Sequence, residues 1–127
     1  MNDSRFKQRA LVIAVVLLVP LQAAFGAGDA VRGKTLYESR CSACHSLDAS
    51  VVGPAHRGVF GRRVGSLAGY AYSDALKKGA FVWDAASLDK WLTDPEKLLT
   101  GQRMGYSVPE AQDRADLIEY LKKESGK

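Results

Sequence analysis

The sequence predicts an all-α fold of about four short helices joined by long loops. Apolar residues recur at helical spacing in several segments, which is typical of amphipathic helices. No convincing strand pattern is present. A long glycine-rich loop covers residues 51–70. Such a loop is uncommon in a small domain unless it has a structural purpose, such as wrapping a group that is not protein.

Residues 1–26 are predicted to be a secretory signal peptide, and residues 27–127 the folded domain. The first nine residues carry three basic side chains, and the apolar run ALVIAVVLLVP follows. Small residues then precede Ala27, as cleavage before that position requires. The alternative is an uncleaved membrane anchor. It is disfavoured because the apolar run is shorter than the roughly 20 residues that span a bilayer.

Cleavage would change the charge of the protein. The whole chain has 18 Lys+Arg and 14 Asp+Glu, a formal charge of +4. Without residues 1–26 it would keep 15 basic and 13 acidic residues, a charge of +2. Much of the basic character therefore belongs to the leader, which argues against nucleic-acid binding.

The first helix is expected from Asp29, a favourable N-cap, to about the cysteines. Ala30, Gly33 and Tyr37 share one face of it at helical spacing. Glycine inside a helix costs about 1 kcal/mol relative to alanine. Gly33 therefore indicates close approach by another helix, with fraying at this residue as the alternative.

Three further helices are expected after the glycine-rich loop. A short one lies near SDALKKG with Ser73 as its N-cap, and a longer one covers residues 84–94 and ends before Pro95. The last runs from about residue 109 to residue 123. Such a chain has little apolar surface to bury, so a staple or a prosthetic group is expected to support the fold.

The segment CSACH contains both cysteines of the chain, Cys41 and Cys44, with His45 directly after them. On a helical turn these residues lie at i, i+3 and i+4 and face the same way. Two thioether bonds to a porphyrin, with a histidine beneath the iron, suit this spacing, and C-x-x-C-H is a signal for c-type haem attachment. We therefore predict one covalently bound haem c, with His45 as an axial iron ligand.

Two other chemistries fit the segment less well. A redox-active dithiol of the thioredoxin kind needs a βαβ context, and none is visible around residues 41–45. A structural zinc site needs four ligands, and His56 is the only other histidine that could supply one.

Met104 is predicted to hold the sixth position of the iron. It is the only methionine left after cleavage, it lies between Gly101 and Gly105, and it is remote in sequence from His45. The alternative for this residue is a methionine that fills the core. His56 and the lysines are the other candidates. His56 lies only 11 residues after His45 and is predicted to be a loop histidine with no special role.

Several motifs in order make residues 28–123 resemble class I cytochrome c, the mitochondrial and soluble bacterial type. The segment GDAVRGKTLYESRCSACHSL is similar to the first helix and haem site of that family. Gly-Pro, Phe-Gly-Arg, Gly-Tyr-x-Tyr and Trp then follow in the family's order, before a methionine loop, DPEKLLTGQRM, and a last helix, RADLIEYLKK. The resemblance implies the cytochrome c fold around one haem.

The resemblance also implies roles for individual residues. The Pro54 carbonyl would accept a hydrogen bond from Nδ1–H of His45, which fixes the tautomer and increases electron donation to the iron. Tyr72 and Trp83 would hydrogen-bond the haem propionates, and Arg62 would balance their charge. Four further residues would pack where the first and last helices cross: Gly33, Tyr37, Leu117 and Tyr120.

The chain departs from the family pattern near Met104. Members commonly have Pro-Gly-Thr-Lys-Met, whereas residues 100–104 read Thr-Gly-Gln-Arg-Met, and loss of the proline is expected to loosen the loop. In the haem environment, Trp91 replaces a common tyrosine and Leu76 a common asparagine. A drier pocket disfavours the extra charge of ferric haem, so these changes are expected to raise the reduction potential.

We predict a soluble, monomeric one-electron carrier in the periplasm and not an enzyme, because His/Met ligation leaves no open position on the iron. Its partners would be an electron donor and an acceptor among respiratory, photosynthetic or dehydrogenase complexes, with no stable membrane insertion after cleavage. They would dock on a weakly basic face with Arg40, Lys97 and Arg103, where Glu96 replaces a family lysine. Two alternatives stay open: a subunit dedicated to one dehydrogenase, and a haem protein whose labile Met104 permits peroxidase or gas-binding activity.

Overall fold

The computed structural model describes residues 26–127, so residues 1–25 of the predicted signal peptide lie outside the described residues. Within residues 26–127 the chain forms five α-helices: α1 (Ala30–Arg40), α2 (Asp74–Lys78), α3 (Ala85–Thr93), α4 (Pro95–Leu98) and α5 (Ala111–Lys123). The only β pairing in this part of the chain is an isolated bridge between Arg63 and Val82. The all-α prediction is confirmed, although α4 was not predicted and α5 begins slightly later than expected. None of the helices described is both long and apolar enough to cross a bilayer.

Helices α1 and α5 form the main packed pair. The carboxylate of Asp29 caps the first turn of α1, as predicted. A Cβ on Gly33 would overlap the carbonyl oxygen of Asp116 on α5, so a residue without a side chain is required for this close approach. One turn further along α1, the rings of Tyr37 and Tyr120 meet with their centroids 5.4 Å apart. The predicted crossing of the terminal helices is therefore present.

Two buried carboxylates join the same helices. Asp116 is 1% exposed, and it accepts hydrogen bonds from the backbone N–H of Asp29, at 2.8 Å, and from Arg32. Asp113 is 5% exposed and pairs with Arg32 and, at 3.0 Å, with Arg40. The charge of Arg40 is therefore engaged in the helix junction, although the sequence suggested a docking residue.

The remaining helices begin at local caps. Ser73 caps α2, and Asp84 and Ser87 form a reciprocal capping box at the start of α3. Pro95 ends α3 as predicted, but it also begins α4. Proline suits the first position of a helix because its φ is already helical and it needs no N–H partner there. The Asp94 carboxylate completes this cap by accepting from the third residue of α4 at 3.1 Å.

The core combines helical residues with residues of the long loop. Its buried side chains come from α1, α3 and α5 and from the segments between them, and they are Tyr37, Val59, Val64, Trp83, Leu88, Trp91, Val108, Leu117, Ile118, Tyr120 and Leu121. Val59 and Val64 lie in the glycine-rich loop. That loop therefore contributes to the core and is more than a surface connection.

Candidate haem-binding site

Residues 41–45 continue from the end of α1 as a turn. The N–H groups of Cys44, at 3.1 Å, and His45, at 2.8 Å, both donate to the carbonyl of Cys41. The bond from His45 spans i to i+4 and has helical geometry, so the three side chains lie on one side of the turn. This arrangement suits two thioether bonds and one axial imidazole.

The environment of Cys41 does not suit a redox-active dithiol. Burial raises the pKa of its thiol to about 11, although the charge of Arg40 opposes the shift. A reactive cysteine needs the opposite, a thiolate that is stabilised at neutral pH. The fold around the segment is also helical, with no βαβ unit among the described residues.

The ring of His45 is oriented by the backbone of the following loop. Its Nδ1 lies 3.0 Å from the carbonyl oxygen of Pro54, and a protonated Nδ1 donates to that oxygen. The lone pair is then on Nε2, the atom available to a metal. Burial lowers the pKa of His45, with the Pro54 bond acting in the other direction. The neutral ring, the form that binds iron, is therefore favoured.

Gly53 approaches the same ring more closely than any residue with a side chain could. A Cβ at this position would overlap Cε1 of His45. The N–H of Gly53 donates to the Cys44 carbonyl at 2.8 Å, and this bond draws the loop against the ring. The Gly-Pro pair is visible in the sequence, but its contact with His45 through glycine was not predicted.

His56 lies in the loop after CSACH, as predicted, and it also contacts His45, which the sequence did not indicate. The two rings stack with centroids 3.9 Å apart and planes inclined by 20°. The Nδ1 of His56 lies 3.1 Å from the hydroxyl of Tyr37. Burial, followed by the nearby His45 and Arg62, lowers the pKa of His56 to about 3, so this ring is neutral at physiological pH.

The stack also argues against zinc. The lone pairs of two stacked imidazoles lie in nearly parallel planes, so they do not converge on one ion in the tetrahedral geometry that zinc prefers. Among residues 26–127, no group of three or more His, Cys, Asp or Glu side chains is placed to hold a metal ion.

A backbone pairing brings Arg62 and Trp83 together. The N–H of Trp83 donates to the Arg62 carbonyl at 2.9 Å, and Trp83 and Tyr72 are each 7% exposed. Nη2 of Arg62 donates to the Ala55 carbonyl at 2.9 Å. The buried Nε of Arg62 has no hydrogen-bond partner within the described part of the chain.

The unpartnered Nε of Arg62 is an observation that fits haem. Partial burial lowers the pKa of Arg62, with Tyr72 opposing the shift, and a buried N–H that has no hydrogen-bond partner is costly. A carboxylate is the group that a guanidinium binds best, and haem carries two propionates. The chemistry of this arginine, like that of the cysteines and histidine of residues 41–45, therefore fits haem.

Trp91 and Met104 pack in or against the hydrophobic core and not in the turn of residues 41–45. Trp91 is 8% exposed, and its ring meets that of Trp83 at 5.4 Å. Met104 is partly buried against the same core cluster. Ligation of the iron by Met104 stays a prediction.

The comparisons with known proteins decide the family. The cytochrome c family model matches residues 30–125. This chain belongs to the cytochrome c family. A cytochrome c of Euglena viridis is 47% identical over 98 residues, which are 75% of this chain and 96% of that protein. A cytochrome c2 of Rhodomicrobium vannielii is 37% identical over 124 residues, 93% of this chain and 98% of the relative.

A solved structure agrees with this membership. Cytochrome cH from Methylobacterium extorquens superposes with a TM-score of 0.72 at 41% identity, and the match covers 76% of this chain and 99% of that one. As a cytochrome c, this chain has the cytochrome c fold, carries covalently bound haem c and acts as an electron carrier, not as an enzyme.

Proposed function

We propose that this cytochrome c carries single electrons between redox proteins in the periplasm. Cys41 and Cys44 would attach the haem, and His45 and Met104 would be its axial ligands. The observation that carries this proposal is the 3.0 Å contact between Nδ1 of His45 and the Pro54 carbonyl, since it leaves Nε2 of a neutral ring available to iron.

When bound, haem supplies an iron that alternates between the ferrous and ferric states. The chain's contribution is a rigid ligand. His45 is held by Pro54, by the backbone of Gly53 and by the ring of His56. A ligand held in this way keeps its position in both oxidation states, so little rearrangement accompanies electron exchange.

Three residues would hold the propionate edge of the haem. Arg62 offers its unpartnered Nε–H, and the resemblance assigns Tyr72 and Trp83 hydrogen bonds to the same carboxylates. The two aromatic side chains are also buried, so they would exclude water beside the haem. Trp91, which packs against Trp83, would also exclude water from the haem. Exclusion of water favours a higher reduction potential.

Export is proposed from the leader. Residues 1–26 have the layout of a signal peptide, and we propose cleavage before Ala27 and release of the domain 27–127 into the periplasm as a monomer. The alignment with the cytochrome c2 of Rhodomicrobium vannielii extends into the leader, so that relative has a corresponding N-terminal segment. Because it covers 93% of the chain, it must include more than half of residues 1–26.

The docking face would be only weakly basic. Lys97 and Arg103 are exposed, whereas Arg40 is engaged with Asp113 and Glu110. With a charge of +2 on the mature polypeptide, steering toward acidic redox partners would be modest and sensitive to salt.

A spectrum and an intact mass of the haem-loaded native protein test the proposal. The oxidised protein should show the weak long-wavelength absorption band of methionine-ligated ferric haem, and Met104→Ala should abolish it. The mass should correspond to residues 27–127 plus one haem. Absence of the band in the native protein at neutral pH would contradict His/Met ligation and favour the alternative with an open iron. A mass that retains residues 1–26 would contradict cleavage.

A further inference from the structure

We propose that Glu96 and Gln102 form a brace, a hydrogen-bonded path that holds the loop of Met104 closed. By this path they would keep the thioether on the iron and limit access of small ligands to it. The inference rests on the proposed ligation by Met104, and it gives Glu96 and Gln102 a positioning role rather than direct contact with the haem.

The path has three hydrogen bonds. Oε1 of Glu96 accepts from the N–H of Gly101 at 2.9 Å, and Oε2 accepts from Nε2 of Gln102 at 3.2 Å. The side-chain oxygen of Gln102 in turn accepts from the backbone N–H of Met104. One carboxylate is therefore connected to the middle of the loop and, through one amide, to the proposed ligand itself.

The start of the brace is anchored in the fold. Glu96 lies in α4, which begins at Pro95, a buried residue, and is capped by Asp94. The backbone carbonyl of Glu96 also accepts from the hydroxyl of Thr100 at 3.3 Å. The loop is therefore attached to a fixed helical turn at its beginning and by the brace near its end.

The brace explains how the loop is restrained without a proline. Thr100 stands where the family pattern has proline, and a proline would restrict the open loop by fixing φ. Without that restriction, the closed loop needs an enthalpic contribution that is lost on opening. Hydrogen bonds to a carboxylate are stronger than those between neutral groups, although Glu96 is exposed and competition from water reduces their contribution.

Both hydrogen bonds that Glu96 accepts in the brace require a carboxylate at this position. Both of its oxygens accept, one from a backbone N–H and one from an amide. Glutamine at this position has a single acceptor oxygen, so it could keep one of the two bonds and not both. A lysine, which the family pattern has here, could accept neither.

Binding of imidazole to the ferric, haem-loaded protein measures opening of the loop, because imidazole must displace Met104 from the iron. Imidazole binds only to molecules in which the loop is open, so its apparent affinity increases with the fraction of open molecules. Glu96→Gln and Gln102→Ala should each increase the rate and apparent affinity of imidazole binding about three- to tenfold, as expected for loss of one or two hydrogen bonds. The long-wavelength band of the uncomplexed proteins should persist.

Glu119→Gln is the matched control. It removes one acidic charge from an exposed pair on α5, where Nζ of Lys122 lies 3.8 Å from Glu119, and it should leave imidazole binding unchanged. The double variant Glu96→Gln/Gln102→Ala should bind imidazole less strongly than the product of the two single effects predicts, because both substitutions interrupt one path.

The outcomes separate the brace from the ligand assignment. If the native protein shows the methionine band but both single variants bind imidazole like the native protein, Met104 is a ligand and the brace is refuted. A double variant that equals the product of the single effects refutes the path. If the native protein has no methionine band, the proposed ligation fails, and the brace fails with it.

Discussion

Among the individual residues of the site, His45 is constrained by contacts on several sides. A carbonyl fixes its tautomer, the glycine backbone at residue 53 contacts its edge, and His56 covers its face. The plane of an axial imidazole influences the electronic structure of the metal it binds, so groups that fix this plane tune the metal. We therefore infer that His56 joins Pro54 in orienting His45, the proposed ligand.

Replacing His56 tests its part in this arrangement. His56→Leu replaces the imidazole with an apolar side chain of similar size. It therefore removes the stacked ring and the hydrogen bond to Tyr37. We expect the variant to fold and keep its haem, with displaced haem-methyl resonances in the NMR spectrum of the ferric protein, because the His45 ring relaxes. Tyr37→Phe removes only the hydrogen bond to His56 and should displace the haem-methyl resonances less than His56→Leu does. Unchanged resonances in His56→Leu would show that the stack does not orient His45.

Among the helices, α1 and α5 form the main packed pair. Close approach depends on Gly33, and a buried carboxylate, Asp116, then reaches across to the N-terminus of α1. Burial by itself would raise the pKa of Asp116. Hydrogen bonds from the Asp29 N–H, Gln112 and Arg32 nevertheless hold it below its usual range.

The lowered pKa of Asp116 predicts the direction of a pH effect. A carboxyl whose pKa is lower in the folded state stabilises the fold fully above its unfolded value of about 3.9, and this contribution is lost as the pH falls through the folded value. Asp116→Asn should lower the free energy of unfolding by about 1–3 kcal/mol at neutral pH. The difference from the native protein should shrink in acid.

Chemical denaturation of the haem-loaded proteins across the acid range measures this difference. Glu119→Gln, from the exposed pair on the same helix, is the control and should have little effect at any pH. A destabilisation of Asp116→Asn that stays constant down to low pH would contradict the ionised role of Asp116.

The whole molecule joins short helices and long loops around a limited core. Within residues 26–127 the buried cluster includes eleven side chains, and the buried Nε of Arg62 has no hydrogen-bond partner in this part of the chain. A domain of about 100 residues has a small margin of stability. Ligand binding adds to that margin when the ligand binds only the folded state.

The chain without haem should therefore be largely unfolded. Cys41→Ala/Cys44→Ala, which cannot form thioether bonds, should show much less helical far-UV circular dichroism than the haem-loaded native protein when purified free of haem. A cooperative, native-like thermal transition of this variant would show that residues 27–127 fold without the prosthetic group.

The sequence by itself determined the features that depend on neighbouring residues. Cys41, Cys44 and His45 face one way because one helical turn connects them, and Ser73 caps α2 because a cap acts within three residues. Gly33 by itself indicated close approach by another helix, and the resemblance to the family identified that helix as the last one. The order of the motifs was enough to indicate the family.

Only the tertiary structure decided how distant segments meet. His56 stacks on His45 because the loop after CSACH turns back on itself. Glu96 is connected to Met104 through Gln102 because α4 ends beside the methionine loop. Such contacts depend on the path of the backbone between the residues, which neither spacing nor composition encodes. For the same reason the sequence did not show that Arg40, the last residue of α1, pairs with Asp113 of α5. Local rules therefore predicted the turn of residues 41–45, and folding determined which residues hold His45 in place.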